Sequence, residues 1–82
     1  IAAALEYREH HPETLIVVAA DHETGGLALE LDSAGTLVGR YATTSHTATM
    51  VPLFAMGPGA EDFAGIITNW KVGQLLLKRV RR

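Results

Sequence analysis

The sequence predicts an α/β fold, because helix-like and strand-like segments alternate along it. Both ends are rich in helix-forming residues, two short apolar runs lie between them, and a glycine-containing turn joins two weakly alternating segments. The predicted order is helix, strand, hairpin, strand, helix, which is typical of α/β patterning around a parallel sheet. We expect two parallel-sheet strands, one β-hairpin and two flanking helices.

The first helix and the first strand are separated by a proline. Alanine, leucine, glutamate and arginine favour a helix from Ile1 onward. Pro12 disfavours the helical conformation at His11, so the helix is expected to end there. Residues 14–20 form a continuous, largely β-branched apolar run that Asp21 follows. Such a run is typical of a strand that is buried on both faces in a parallel sheet.

The middle of the chain predicts a loop and a hairpin. Residues 21–26 form a loop that ends in two glycines. Residues 27–31 and 36–41 have strand character, and the four residues 32–35 form a turn between them. This pattern indicates a β-hairpin. Residues 43–49 are a hydroxyl-rich connector to the next element.

The second apolar run and the last helix complete the pattern. Residues 51–56 are the second buried-looking strand, and residues 57–59, Gly-Pro-Gly, end it. Residues 60–67 are ambiguous between helix and loop. Asn69 can cap a final helix over residues 70–80. Cations lie near its carbonyl end, where they favour the helix dipole.

Length and composition exclude several classes of protein. Eighty-two residues leave room for one small domain with a marginal core. A net charge of −2 gives no strong field to attract nucleic acid or an anionic membrane. The absence of cysteine excludes a disulfide scaffold, a cysteine-type zinc finger and a thiol nucleophile. The apolar run over residues 15–20 is far shorter than the roughly 20 residues that a transmembrane helix needs, and no signal peptide is visible.

The two strands indicate that residues 1–82 are one segment of a larger domain. The chain begins at Ile1 and not at methionine. Both strands read as covered on both faces, yet only two helices are predicted to cover them. The missing strands and helices are expected to precede this segment. Unpaired strand edges and uncovered apolar surface would make the isolated chain form homo-oligomers.

The best candidate for chemistry is the turn directly after the first strand. Ligands of open α/β sheets bind outside the carboxyl ends of the strands, and Asp21 and His22 are both side chains that zinc accepts as ligands. Both can reach one ion only if the backbone leaves the strand there, which Gly25 and Gly26 allow. The alternative is an ordinary strand-to-loop turn whose polar side chains face water.

The other candidate residues give weaker signals. His46 lies in the hydroxyl-rich connector, where it is either a metal ligand or a solvated histidine. His10 and His11 fall at a helix end and are expected to be surface residues. Glu23 could act as a base, but a loop carboxylate that supports the neighbouring ligands is the preferred interpretation.

Two motifs resemble the alkaline phosphatase family. Residues 14–26, TLIVVAADHETGG, are similar to the family segment that ends in Asp-His and supplies zinc ligands. Residues 44–48, TSHTA, followed by residues 51–60, VPLFAMGPGA, resemble the family's C-terminal His-Thr motif and its next strand. Residues 60–65 and the last helix extend the resemblance over nearly the whole chain.

The resemblance implies a fold, an activity and a ligand set. It implies that residues 1–82 are the C-terminal portion of an alkaline-phosphatase-like α/β/α sandwich, which hydrolyses phosphate monoesters with two zinc ions and one magnesium ion. Asp21 and His22 would bind one zinc ion, and His46 would bind the other. The family's location implies a periplasmic or extracellular protein.

The resemblance also implies that the site is completed elsewhere. The family's nucleophile, its phosphate-binding arginine, its magnesium ligands and its remaining zinc ligands all precede this segment, so no catalytic residue is assigned here. A catalytic zinc ion normally takes three protein ligands, which is more than this chain offers to each of two ions. The isolated chain is therefore expected to be inactive. A non-catalytic metal-binding or assembly module remains the alternative.

Overall fold

In a computed structural model that describes residues 1–81, the chain is a mixture of helices and strands. The helices are α1, Ala2–His10, and α2, Asn69–Val80, with one 3₁₀ turn at Ala60–Phe63. The strands in chain order are β1, Ile16–Ala19; β2, Glu23–Thr24; β3, Ala28–Leu31; β4, Leu37–Arg40; β5, His46–Thr47; and β6, Leu53–Met56. The strands form three two-stranded pairs: β1 with β6, β2 with β5, and β3 with β4.

The residues cluster into two compact units. Of the described residues, 1–18 and 53–81 form the first unit, and Ala19–Pro52 form the second. The first therefore contains both helices, the 3₁₀ turn, β6 and most of β1. The second contains β2, β3, β4 and β5, together with the loops between them.

The first unit pairs β1 with β6 in opposite directions. A Cβ atom placed on Gly57, directly after β6, would lie 2.3 Å from the carbonyl oxygen of Thr14, which precedes β1. The carboxyl end of one strand thus lies beside the amino end of the other, which is the arrangement of an antiparallel pair. The parallel pairing expected from the sequence is not found. The prediction was wrong because a continuous apolar run indicates burial but carries no information on strand direction.

The apolar core of the described residues is small. Phe63, at 3% exposure, and Leu75, at 9%, are the large hydrophobic side chains that are buried within residues 1–81. Residues 16–18 of β1 are half-buried, and Ala19 is exposed. The expectation that β1 is buried on both faces is therefore not met within this chain. Trp70, in the first turn of α2, is exposed as well.

The hairpin of the second unit confirms the sequence prediction. β3 and β4 pair antiparallel with Leu31 opposite Leu37, and the Asp32 side chain accepts hydrogen bonds from the turn N–H groups of Ala34 and Thr36. One face of the hairpin carries exposed leucines, namely Leu29, Leu31 and Leu37. Its other face carries an ion pair between Glu30 and Arg40.

The ends of the chain differ from the sequence prediction in detail. α2 begins at Asn69 itself, with Thr68 in the capping position, and Lys78 and Arg79 lie in its last turn as expected. The ambiguous stretch after β6 contains the 3₁₀ turn, in which Phe63 is buried. No helix within residues 1–81 has the length and apolar character needed to cross a membrane.

Candidate functional site

The sequence-predicted ligands lie together in the second unit because β2 and β5 pair antiparallel. The register places Glu23 opposite Thr47 and Thr24 opposite His46. The loop after β1 and the hydroxyl-rich connector, which are distant in sequence, are thereby joined at two short strands. The sequence indicated a loop and a connector at these places and did not predict this pair of strands.

Gly25 fixes the turn that follows β2. Its N–H donates to the carbonyl of Ser45 at 2.9 Å, and its own carbonyl accepts from the N–H groups of Ala42 and Thr43. Gly25 is buried with a φ of +91°, and a Cβ atom there would lie 2.6 Å from the ring of Tyr41. Any other residue would be strained and would clash with this ring, so glycine is required at this position.

His22 and His46 lie face to face. Their ring centroids are 3.5 Å apart, and their planes differ by 23°. The His22 side chain is 34% exposed, and His46 is exposed. The structure therefore brings together the two histidines that the sequence proposed as ligands.

The hydrogen bonds of His22 determine which ring nitrogen can act as a ligand. Nδ1 lies 3.2 Å from the backbone carbonyl of Glu23 and 3.3 Å from the hydroxyl of Thr24. A carbonyl oxygen can only accept, so this contact requires a proton on Nδ1. In a neutral ring with its proton on Nδ1 the lone pair is on Nε2, which is the state in which a histidine binds a metal ion through Nε2.

Asp21 faces the same nitrogen. Its Oδ2 lies 3.5 Å from Nε2 of His22, while its Oδ1 accepts a hydrogen bond from the backbone N–H of His22 at 3.0 Å. The Asp21 side chain is 88% exposed. A carboxylate oxygen and an imidazole nitrogen thus occur side by side at the surface, and both are atom types that zinc accepts as ligands.

These donors are of the right kind for zinc but too few to enclose an ion. Within the described part of the chain, no group of three or more histidine, cysteine, aspartate or glutamate side chains is close enough to hold a metal. The residues present fit part of a ligand set. Further ligands would have to come from water or from residues outside this sequence.

Glu23 makes contacts that the sequence did not specify. Its two carboxylate oxygens accept from the N–H of Gly26 at 2.8 and 2.9 Å, and Oε1 also accepts from the hydroxyl of Thr47 at 2.5 Å. These bonds match the interpretation of a supporting loop carboxylate and not that of a base. The sequence did contain a signal for this role. Glu23 lies three residues before Gly26, and the Gly25–Gly26 pair predicted a turn in which the Gly26 N–H needs an acceptor.

A cleft of about 520 Å³ opens beside His22. Thr24 and Glu23 contribute polar atoms to its lining, and Leu27, Tyr41 and Val51 contribute apolar surface. All of these residues belong to the second unit. Its lining is therefore partly polar and partly apolar.

His10 and His11 lie at the end of α1 in the first unit. The ring of His11 stacks on Tyr7 with centroids 4.1 Å apart, and its Nδ1 lies 3.0 Å from the Tyr7 carbonyl. Both histidines are exposed. The structure thus agrees with the interpretation of these two residues as surface histidines.

Comparison with known proteins identifies two similar phosphatases. No model of a known protein family matches the chain. The chain is 34% identical over 88 residues to streptomycin-6-phosphate phosphatase of Streptomyces griseus; the match covers 84% of this chain and 20% of that protein. Its fold matches the structure of alkaline phosphatase from the Antarctic bacterium TAB5 with a TM-score of 0.78 and 34% identity, over 94% of this chain and 25% of the other.

The fold and sequence therefore define the chain as phosphatase-like. The structural match confirms the resemblance seen in the sequence: the chain is similar in sequence and in fold to part of an alkaline phosphatase. It spans about a fifth of the length of the curated relative and about a quarter of that of the solved structure.

Proposed function

We propose that these 82 residues are the C-terminal part of a metal-dependent phosphatase that hydrolyses phosphate monoesters. Asp21 and His22 contribute to one zinc site and His46 to a second. The observation that supports this most is the arrangement at His22, where Nδ1 is engaged by a carbonyl and Nε2 faces the Asp21 carboxylate. Similarity to two proteins named as phosphatases supports the reaction class.

Each residue has a defined part in this proposal. The Glu23 carbonyl holds the proton on Nδ1 of His22 and so keeps Nε2 available as a ligand. Asp21 offers a carboxylate oxygen beside that nitrogen, and His46 offers a second imidazole at the ring face of His22. When bound, two zinc ions would lower the pKa of an oxygen nucleophile and offset the negative charge of the transferring phosphoryl group. Magnesium, the nucleophile and the phosphate-binding arginine belong, on this proposal, to sequence that precedes the chain.

The experiment uses the protein with the sequence that its gene encodes on either side of these residues. Hydrolysis of p-nitrophenyl phosphate is measured with zinc and magnesium, after treatment with a chelator, and after zinc is restored. We expect His46→Ala and Asp21→Asn to lower kcat/KM by about 100-fold or more. Loss of a residue that only supports a metal ligand costs about 10- to 100-fold, and loss of a ligand itself should cost at least as much. His11→Ala is the matched control and should leave kcat/KM unchanged.

The outcomes separate the two candidate functions. Zinc binding without turnover of any phosphate monoester would favour the non-catalytic metal-binding or assembly module. Turnover that is insensitive to the chelator and to His46→Ala would overturn the ligand assignment. The 82 residues expressed alone should neither hydrolyse the ester nor bind zinc tightly, and activity of this fragment that His22→Ala abolishes would refute that expectation.

A further inference from the structure

Glu23 connects the two halves of the candidate site through a single side chain. Its carboxylate accepts from the Gly26 N–H within its own turn and from the Thr47 hydroxyl on β5. Glu23 directly follows His22 in the sequence, and Thr47 directly follows His46. Each end of the Glu23–Thr47 hydrogen bond is therefore one residue away from a candidate zinc ligand.

The register explains why this bond can control the spacing of the histidines. Glu23 and Thr47 are opposite each other in the β2–β5 pair, and Thr24 is opposite His46. Side chains alternate between the two faces of a strand, so His46 and Thr24 share one face while Glu23 and Thr47 share the other. His22 lies two residues before Thr24 and stacks on His46. The hydrogen bond thus lies behind the pair of rings and ties together the two backbones that carry them.

The strands alone provide little to hold this arrangement. β2 and β5 contain two residues each, and a short two-stranded ribbon is only marginally stable in water. A hydrogen bond to an ionised carboxylate is roughly twice as strong as one between neutral groups. Glu23 and Thr47 are both half-buried, so water competes less for their bond than at a fully exposed position. The Thr47 hydroxyl is also oriented by the Thr49 N–H, which lies 3.3 Å from it.

We propose that Glu23 is a positioning residue, which acts through Thr47 to set the distance between His22 and His46 for cation binding. The proposal rests on the function proposed above for these histidines. It assigns Glu23 no contact with substrate or metal, because both of its carboxylate oxygens are already engaged by Gly26 and Thr47. Removing the hydroxyl of Thr47 should therefore affect the site as removing the carboxylate does.

The test compares variants that differ in one bond. Thr47→Val removes the hydroxyl at nearly constant shape, Thr47→Ser retains a hydroxyl, and Glu23→Gln removes the charge while it keeps one acceptor oxygen. Glu30→Gln is the matched control, because Glu30 lies on the hairpin and pairs with Arg40. All variants are made in the protein with its natural flanking sequence. Zinc dissociation constants are measured by competition with a chelator, and the nuclear Overhauser effect between the rings of His22 and His46 is measured without metal.

We expect Thr47→Val and Glu23→Gln to weaken zinc binding by about 10- to 100-fold, as loss of groups that orient metal ligands usually does. Both should also weaken the ring-to-ring signal. Thr47→Ser should restore both readouts, and Glu30→Gln should change neither. Wild-type zinc affinity and an intact ring signal in Thr47→Val and Glu23→Gln would overturn the proposal, as would equal losses in Thr47→Val and Thr47→Ser. If Thr47→Val does not fold, the proposal is tested by comparing Glu23→Gln, which should show both losses, with Thr47→Ser, which should show neither.

The metal-free measurement separates this proposal from the proposed function. If the wild-type protein binds no zinc, the ligand assignment fails. The part of the proposal that concerns cation binding fails with it. The part that concerns the spacing of His22 and His46 is supported if Thr47→Val weakens the ring signal, and it is refuted if the signal is unchanged.

Discussion

Gly57 and Thr14 are in such close contact that residue 57 cannot carry a side chain without a shift of the backbone. A Cβ atom on Gly57 would lie 2.3 Å from the Thr14 carbonyl oxygen and 3.2 Å from the Cα atom of Leu15. The φ of Gly57 is +111°, a region that side chains disfavour. The Thr14 oxygen and the Leu15 Cα atom both belong to the main chain, so they cannot move aside by a change of rotamer as the end of a long side chain could.

Gly57→Ala should therefore lower the free energy of unfolding by about 2–4 kcal/mol, from backbone strain and from the clash together. The measurement is chemical denaturation with the slope of the transition checked against the wild type. Gly35→Ala is the control, because Gly35 also has a positive φ but no atom lies within 4 Å of its Cβ position. An equal loss in the two variants would show that the Thr14 contact has no effect of its own.

Gly73→Ala should have the opposite effect. Gly73 is exposed within α2, and a Cβ atom there meets no neighbour within 4 Å. Alanine is more favourable than glycine inside a helix by about 1 kcal/mol, so the midpoint of denaturation should rise. A fall in this midpoint would contradict the assignment of residue 73 to an open helix surface.

Phe63→Ala should be among the most damaging substitutions in the first unit. Phe63 is 3% exposed, and removal of a buried phenylalanine side chain costs about 3–5 kcal/mol. Phe54→Ala provides a matched comparison, because Phe54 is 64% exposed and its truncation should cost far less. Thermal unfolding of both variants tests the difference, and similar melting temperatures would place the core elsewhere.

The isolated 82 residues should self-associate through the leucine face of the hairpin. Leu29, Leu31 and Leu37 are each more than 60% exposed, and a monomer rarely leaves such apolar surface in contact with water. Sedimentation velocity over a wide concentration range should show species larger than the 8.8 kDa monomer. Leu31→Lys should reduce association, whereas Ala28→Lys adds the same charge on the opposite face and should not. A monomer at all concentrations would refute the expectation.

Local patterns in the sequence were sufficient for the elements whose signals are themselves local. The Asp32–Gly35 turn between alternating segments specified the β3–β4 hairpin, and Pro12 placed the end of α1 correctly within about one residue. Residue chemistry also selected Asp21, His22 and His46, which the fold brings into one unit. The identity of these residues as ligands stays a prediction.

The remaining features depend on contacts between distant residues, which a local pattern does not encode. The β2–β5 pair has only two residues per strand, which is too short for an alternating pattern to be recognised. The stacking of His22 on His46 follows from the register of that pair. The direction of β1 relative to β6 depends on where the chain returns, and an apolar run reads the same in either direction.

The pairing of β1 with β6 also has a kinetic consequence. This pair closes a loop over residues 20–52, and the entropy lost on closing a loop increases with the logarithm of its length. The β3–β4 hairpin closes over the five residues 32–36 and can form within about 1–10 μs. The first unit is built from two separate segments of the chain, so the contacts between these segments are non-local, and non-local contacts slow folding. The second unit is one continuous segment and should form faster. Lengthening the hairpin turn should slow the formation of the first unit only slightly, because each doubling of loop length adds only about 0.6 kcal/mol.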